Sequence, residues 1–161
     1  MGARAQLAEL GLALPPVAAP VAAYVPAVRT GSLIHTSGQL PFVDGSLAIT
    51  GKVGAGVTAD EATALARIAA LNALAAVATL LEAEGAGAGV DALDRVVRVV
   101  KVVGFVASDP SFTGQPGVVN GASMLLHDVL GPAGVHARSA VGVAVLPLDS
   151  PVEVEIVVET R

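Results

Sequence analysis

The sequence contains no cysteine and no tryptophan, one tyrosine and three phenylalanines. Without thiols there is no disulfide framework, no Cys-ligated zinc and no thiol nucleophile. Aromatic residues, at 2%, leave few platforms on which nucleotide bases could stack. Charge is also scarce: only 14% of the 161 residues are Asp, Glu, Lys or Arg, and 14 acidic residues outnumber 9 basic ones, for a net charge of -5. An acidic chain with so few cations is poorly matched to a track of phosphates, so no nucleic-acid partner is expected. His35, His127 and His136 lack metal-ligand spacing, and no metal is expected. The most apolar run, Ile68 to Leu81, is bounded by Arg67 and Glu82 and falls short of the ~20 apolar residues that a spanning helix needs. Near the N-terminus Glu9 interrupts the apolar residues, and Pro15, Pro16 and Pro20 follow, which makes a poor signal peptide. A cytoplasmic location without a membrane partner is the expectation.

Small apolar residues are abundant instead. Hydrophobic residues make up 53% of the chain and the mean hydropathy is +0.72, which excludes disorder. A compact monomer of this mass exposes roughly 7,300 Å². The few charged side chains would cover that surface at about half the usual density. Large apolar patches would remain, and such patches mark interfaces. The count points to an oligomer.

Residues 3–10 are good helix formers and Gly11 stands at the stop position. Residues 12–23 read as an extended Pro- and Ala-rich linker. Val25 to Arg29 and Ser32 to Ser37 read as two strands joined at Thr30-Gly31, Asp44-Gly45 as a turn, and Ser46 to Thr50 as a short strand. The Gly-rich stretch Gly51 to Val57 lacks the Lys-Ser or Lys-Thr pair of a phosphate-binding loop, so it reads as a flexible lead-in. Thr58-Ala-Asp-Glu61 is a capping box, and it opens a helix expected to run to about Ala83 on a stripe of Leu65, Ile68, Leu71, Leu74, Val77 and Leu81. Asp94 to Ala107 is dense in valine and predicts a long strand. Arg95, Arg98 and Lys101 break its period of two, which predicts a bulge. A helix over Val118 to Leu130 and strands near 138–146 and 152–159 complete the chain. The order predicts an α+β fold, with a mixed sheet covered by helices on one face only. The bare face is a second argument for self-association.

Arg138 is the most telling residue. Its near neighbours are small or apolar, and a guanidinium there is costly without an anion. Either an acidic residue of the same fold pairs with it, or it presents parallel N–H groups to a substrate carboxylate. Glu153, Glu155 and Glu159 alternate with apolar residues, as on a solvated strand face, or one of them acts as a general acid or base. Tyr24 packs or contacts a ligand, and Ser37-Gly38 forms a plain turn or lets a ligand approach the backbone.

Several segments together resemble the RidA group, the YjgF/YER057c/UK114 family of enamine/imine deaminases. They are Tyr24 with Val28, Ile34-His-Thr-Ser-Gly-Gln-Leu-Pro41, Val118-Val-Asn-Gly121, Ala137-Arg-Ser-Ala-Val-Gly-Val-Ala-Val-Leu-Pro147, and Val152-Glu-Val-Glu155. The resemblance implies a chorismate-mutase-like α+β domain over residues 20–161, and the N-terminal helix and linker over 1–19 make the chain longer than the commoner family pattern. It also implies a homotrimer with sites in the clefts between subunits. By position, Arg138 resembles the arginine that binds the substrate carboxylate, and Glu153 the glutamate that holds the attacking water. Tyr24, Ser37, Gly38, Asn120 and the Ala140 backbone resemble the remaining pocket wall. The implied activity is cofactor-free hydrolysis of 2-enamino or 2-imino acids to 2-keto acids and ammonia. The competing functions are a non-catalytic trimer that binds small carboxylates such as keto acids, and an endoribonuclease or translation inhibitor. Ala140 and Gly142 depart from a cysteine and an acidic residue frequent in the family, and the segment from Ser108 to Gly117 is longer than usual.

Overall fold

Thr58 begins the longest helix with a reciprocal cap. Its hydroxyl accepts from the Glu61 N–H at 3.2 Å, and the Glu61 carboxylate accepts from the Thr58 N–H at 2.8 Å. In the computed structural model, which describes residues 2–17 and 23–161, this helix, α2, spans Ala59–Ala83. It follows α1 (Ala3–Glu9), β1 (Ala27–Thr30) and β2 (Leu33–Thr36), and precedes β3 (Val96–Ala107), α3 (Gln115–Leu130), β4 (Ala137–Val143) and β5 (Val152–Thr160). The linker expected over 12–23, and the expected boundary after residue 19, fall partly on residues outside the described ones.

The five strands form one sheet in the order β1-β2-β5-β3-β4. All neighbours are antiparallel except β3 and β4, which run parallel with α3 as their crossover. Val152, Val154, Ile156 and Val158 of β5, with Val99, Val102 and Val106 of β3, bury one face against α2 and α3. Gly104 lets α3 settle onto β3, since a Cβ there would stand 2.4 Å from a Val119 methyl. The opposite face carries Val28, Val103, Phe105, Val141 and Val157 and no covering layer among the described residues, and Val28 and Val141 are exposed. The mixed α+β architecture expected from the order of elements is therefore present, with helices on one side only.

The charge pattern of β3 has the cause inferred for it. Its pairing with β5 is irregular between Val96 and Arg98 and again between Val99 and Lys101. Asp44 and Gly45, both at positive φ, make the expected turn between Val43 and Ser46. Residues 46–50 do not form a strand: past the single bridge at Ser46, no partner strand lies alongside. Helix α3 starts three residues earlier than expected, because Pro116 is tolerated in a first turn whose N–H groups need no helical partner. Strand β4 stops at Val143 rather than continuing to 146.

α1 docks through the buried Ala3 and Leu7, and the Ala3 N–H donates to Asp94 at 3.1 Å. By length and composition α2 could cross a membrane, but 67% of its most apolar window is buried inside the fold. The expectation of too short a run counted only Ile68 to Leu81. Alanines extend the helix on both sides of it, and their burial against the sheet and α3 explains the composition.

Candidate functional site

Arg138 lies in β4 opposite the core residue Val102, so its side chain leaves the sheet on the helical side. There its Nη1 donates to the Asn120 amide oxygen at 2.8 Å and to Ser123 Oγ at 3.1 Å, and its Nη2 donates to the Pro116 carbonyl at 3.2 Å. Asn120 and Ser123 share a face of α3, one turn apart. All three acceptors are neutral. No carboxylate pairs with this guanidinium among the described residues, although Arg4, Arg29, Lys52 and Arg67 all have acidic partners. One N–H on Nε and one on Nη2 remain without a partner among the described residues, on the edge that matches two carboxylate oxygens. The intramolecular ion pair that the sequence leaves open is not formed among the described residues. Arg138 borders a cleft of about 290 Å³ with Ser123, His127, Gly134, Val135 and His136.

Ala140 and Gly142 continue the same side of β4, the sheet's edge strand. Beyond Ala140 a second cleft of about 450 Å³ is walled by Ser108, Asp109, Phe112, Gln115 and Gly142. The long 108–117 segment supplies most of that wall. The Gln115 amide donates to Ser108 Oγ at 3.2 Å and to the Phe112 carbonyl at 2.7 Å.

Tyr24, Ser37, Gly38 and Glu153 form another group. Ser37 follows β2, and its hydroxyl donates to the Val25 carbonyl at 2.6 Å, next to the exposed Tyr24. Glu153 alternates with the buried Val152 and Val154, so it points away from the helices. Its carboxylate lies directly over Gly38, where a Cβ would stand 1.7 Å from Oε1. Only glycine leaves room for it. Glu153 is half-buried and has no hydrogen-bond donor among the described residues. Burial pushes its pKa above the ordinary carboxylate range, and the Glu155 charge adds to the rise.

Within one chain, then, Asn120, Ala140 and Arg138 lie on the helical side of the sheet, while Glu153 and Gly38 lie on its bare side. Sequence reasoning passed over Ser123, and it weighed His136 only as a metal ligand. Ser123 Oγ lies 2.9 Å from His136 Nε2, and His136 Nδ1 lies 2.6 Å from the Gly134 carbonyl. Burial lowers the His136 pKa, the Gly134 carbonyl partly opposes this, and the Arg138 charge lowers it further. The one signal in the sequence was period, which puts Ser123 three residues from Asn120 on a helix and His136 two from Arg138 in an extended segment, but does not bring the two elements together. No group of three or more His, Asp or Glu side chains suited to a metal occurs among the described residues.

A family model described as "YjgF/chorismate_mutase-like, putative endoribonuclease" matches residues 4–160. Protein TCP17 of Trypanosoma cruzi is 46% identical over 156 residues, covering 96% of this chain and 92% of that one. A crystal structure of a protein of unknown function from Agrobacterium tumefaciens superimposes with a TM-score of 0.87 at 43% identity, covering 99% of this chain and 93% of that one. A putative endoribonuclease from Shewanella oneidensis gives 0.88 at 34% identity, with 99% of both chains covered.

Proposed function

The chain belongs to the YjgF/chorismate-mutase-like family, and from that membership and the state of Arg138 we propose that it hydrolyses reactive 2-imino or 2-enamino acids to 2-keto acids and ammonia. The observation that carries this reading is a half-buried guanidinium with three neutral acceptors, no acidic partner among the described residues, and two adjacent N–H groups left over. An imino acid brings the missing anion next to an electrophilic C=N carbon.

Arg138 binds the carboxylate side-on and fixes the plane of the imine above Ala140. Glu153, basic because it is poorly solvated, accepts a proton from water as the water oxygen attacks the imine carbon. The carbinolamine that forms takes a proton on nitrogen, its C–N bond breaks, ammonia leaves and the carbonyl of the keto acid remains. One water is consumed, and nothing is oxidised or reduced. No cofactor enters any step.

Since Arg138 and Glu153 leave opposite sides of the sheet, one active site takes Arg138, Asn120 and Ala140 from one copy, and Glu153, Gly38, Ser37 and Tyr24 from the next. A homotrimer closed through the bare sheet faces supplies three such clefts. The scarcity of surface charge supports this assembly. The same reading takes the protein as cytoplasmic.

The endoribonuclease named among the structural relatives is the alternative class. It is disfavoured by the excess of acidic residues and the shortage of aromatics, which leave neither a phosphate track nor stacking platforms. A keto-acid-binding trimer without turnover shares the Arg138 clamp and differs only in the role of Glu153. The deciding experiment generates 2-iminobutanoate in situ and follows its loss with wild-type protein and with Arg138→Ala. Acceleration by the wild type, abolished in the variant, supports the proposal. Full retention in Arg138→Ala removes that residue from the mechanism, and saturable keto-acid binding without turnover selects the binding trimer.

A further inference from the structure

We propose that Ser123 and His136 are positioning residues for Arg138, a relay that holds the guanidinium in its carboxylate-binding pose only while His136 Nε2 carries no proton. The inference rests on the reading of Arg138 as the carboxylate clamp, and it adds to that clamp a control that the reaction itself does not require.

The direction of each hydrogen bond follows by elimination. A guanidinium only donates, so Ser123 Oγ accepts from Arg138 Nη1 at 3.1 Å. A carbonyl only accepts, so His136 Nδ1 carries a proton and donates to Gly134 at 2.6 Å. The link between them, 2.9 Å from Ser123 Oγ to His136 Nε2, is then made by the serine proton on a neutral imidazole. Arginine donates to serine, serine to histidine and histidine to the backbone, so each group is oriented by the next.

A proton on Nε2 reverses the middle link. Ser123 Oγ would face two cationic donors, and its own hydroxyl proton would need a new acceptor. The charged and titratable groups around the ring make this worse. Arg138 lies on β4, His127 borders the same cleft from α3, and Arg98 borders the cleft on the other side from β3. No carboxylate lines either cleft. With no anion to share the added charge, the Arg138–Ser123 bond gives way and the clamp loses one of its three supports.

The test measures binding of 2-oxobutanoate by calorimetry from pH 8 to pH 5. The probe's carboxylate stays ionised throughout, so the protein alone titrates. Loss of one hydrogen bond predicts that wild-type affinity falls about three- to tenfold as His136, followed by NMR in the same protein, takes up its proton. His136→Gln offers a side-chain oxygen to the Ser123 hydroxyl but cannot titrate. It is expected to keep the neutral-pH affinity and to lose the acid fall. Ser123→Ala is expected to bind at pH 8 as weakly as the wild type does once NMR shows His136 protonated, and to vary little with pH. Glu153 cannot imitate this profile, because its protonation removes repulsion of the ligand carboxylate and strengthens binding in acid. An acid fall that persists in His136→Gln, or a wild type whose affinity ignores the titration of His136, overturns the relay while leaving the clamp intact. A wild type that binds no keto acid at any pH overturns the clamp, and the relay with it. Thermal melts of each variant show whether the fold survives the substitution.

Discussion

Arg138 and Glu153 are both charged, half-buried and carried by strands of one sheet, yet their surroundings differ in kind. The guanidinium stands in a frame that its own chain completes, with Asn120, Ser123 and Pro116 as acceptors. The carboxylate stands on bare backbone at Gly38 and has no donor among the described residues. One group is oriented before anything binds. The other keeps its acceptor oxygens open and is raised in basicity by poor solvation, which suits the proton acceptor proposed for it.

This contrast can be broken most severely by mixing subunits. Arg138→Ala and Glu153→Gln should each reduce imine hydrolysis by about a hundredfold or more when assembled alone. If the two residues of one site come from neighbouring copies, dissociating and reassembling an equal mixture should restore about a quarter of the wild-type activity, the statistical share of sites that receive both native groups. Failure of any activity to return would place both residues in one chain's site and overturn the shared-cleft assembly.

Gly38→Ala acts on the bare side only. The new methyl displaces the Glu153 carboxylate, so turnover should fall about ten- to a hundredfold with keto-acid affinity nearly unchanged. Gly104→Ala acts on the helical side. A Cβ meeting Val119 should cost about 1–3 kcal/mol of stability and shift α3 away from β4. Keto-acid affinity should then weaken through Asn120 and Pro116, as calorimetry would register, while the Glu153–Gly38 contact is untouched.

The smallest expected effect is on stability. Glu153 has a folded pKa above its unfolded value, so between those two values the folded chain binds more protons than the unfolded one. Stability therefore falls as pH rises through that window, and the deficit persists at neutral pH. Glu153→Gln should raise the melting temperature at pH 7, with the gain shrinking as the pH approaches about 4. Equal melting curves at pH 7 would show that the carboxylate is better solvated than its position suggests.

Much of the frame was legible where one residue type has one physical use. Thr58 with Glu61 marked a helix start, Asp44-Gly45 a turn, and the spacing of Arg98 and Lys101 an irregular strand. The strand expected over 46–50 failed because no neighbour lies beside it, which local composition does not encode. Gln115-Pro116-Gly117 looks like loop because proline and glycine oppose helix in its interior, whereas here they occupy its first turn. At the site, Arg138 stood out as a cation among apolar neighbours. Ser123 and His136 did not, because serine on a helix and histidine beside a strand are ordinary until the fold brings α3 across β4. That Arg138 and Glu153 face opposite ways is written in the alternation of β5 and in the parallel pairing of β4 to β3. Only the second of these required the structure.

The irregularity of β3 has a consequence for its own cations. A strand sorts its side chains by odd and even count, and the extra residue between Val99 and Lys101 resets the count before the sheet reaches β4. Parallel pairing then copies the parity of Val102 onto Arg138. Without the extra residue β3 would pair with β5 in unbroken alternation, and Val102, and with it Arg138, would still face the helices. What the extra residue does is bring Arg98 and Lys101, three positions apart, onto the same bare face, opposite Glu159 and Val157.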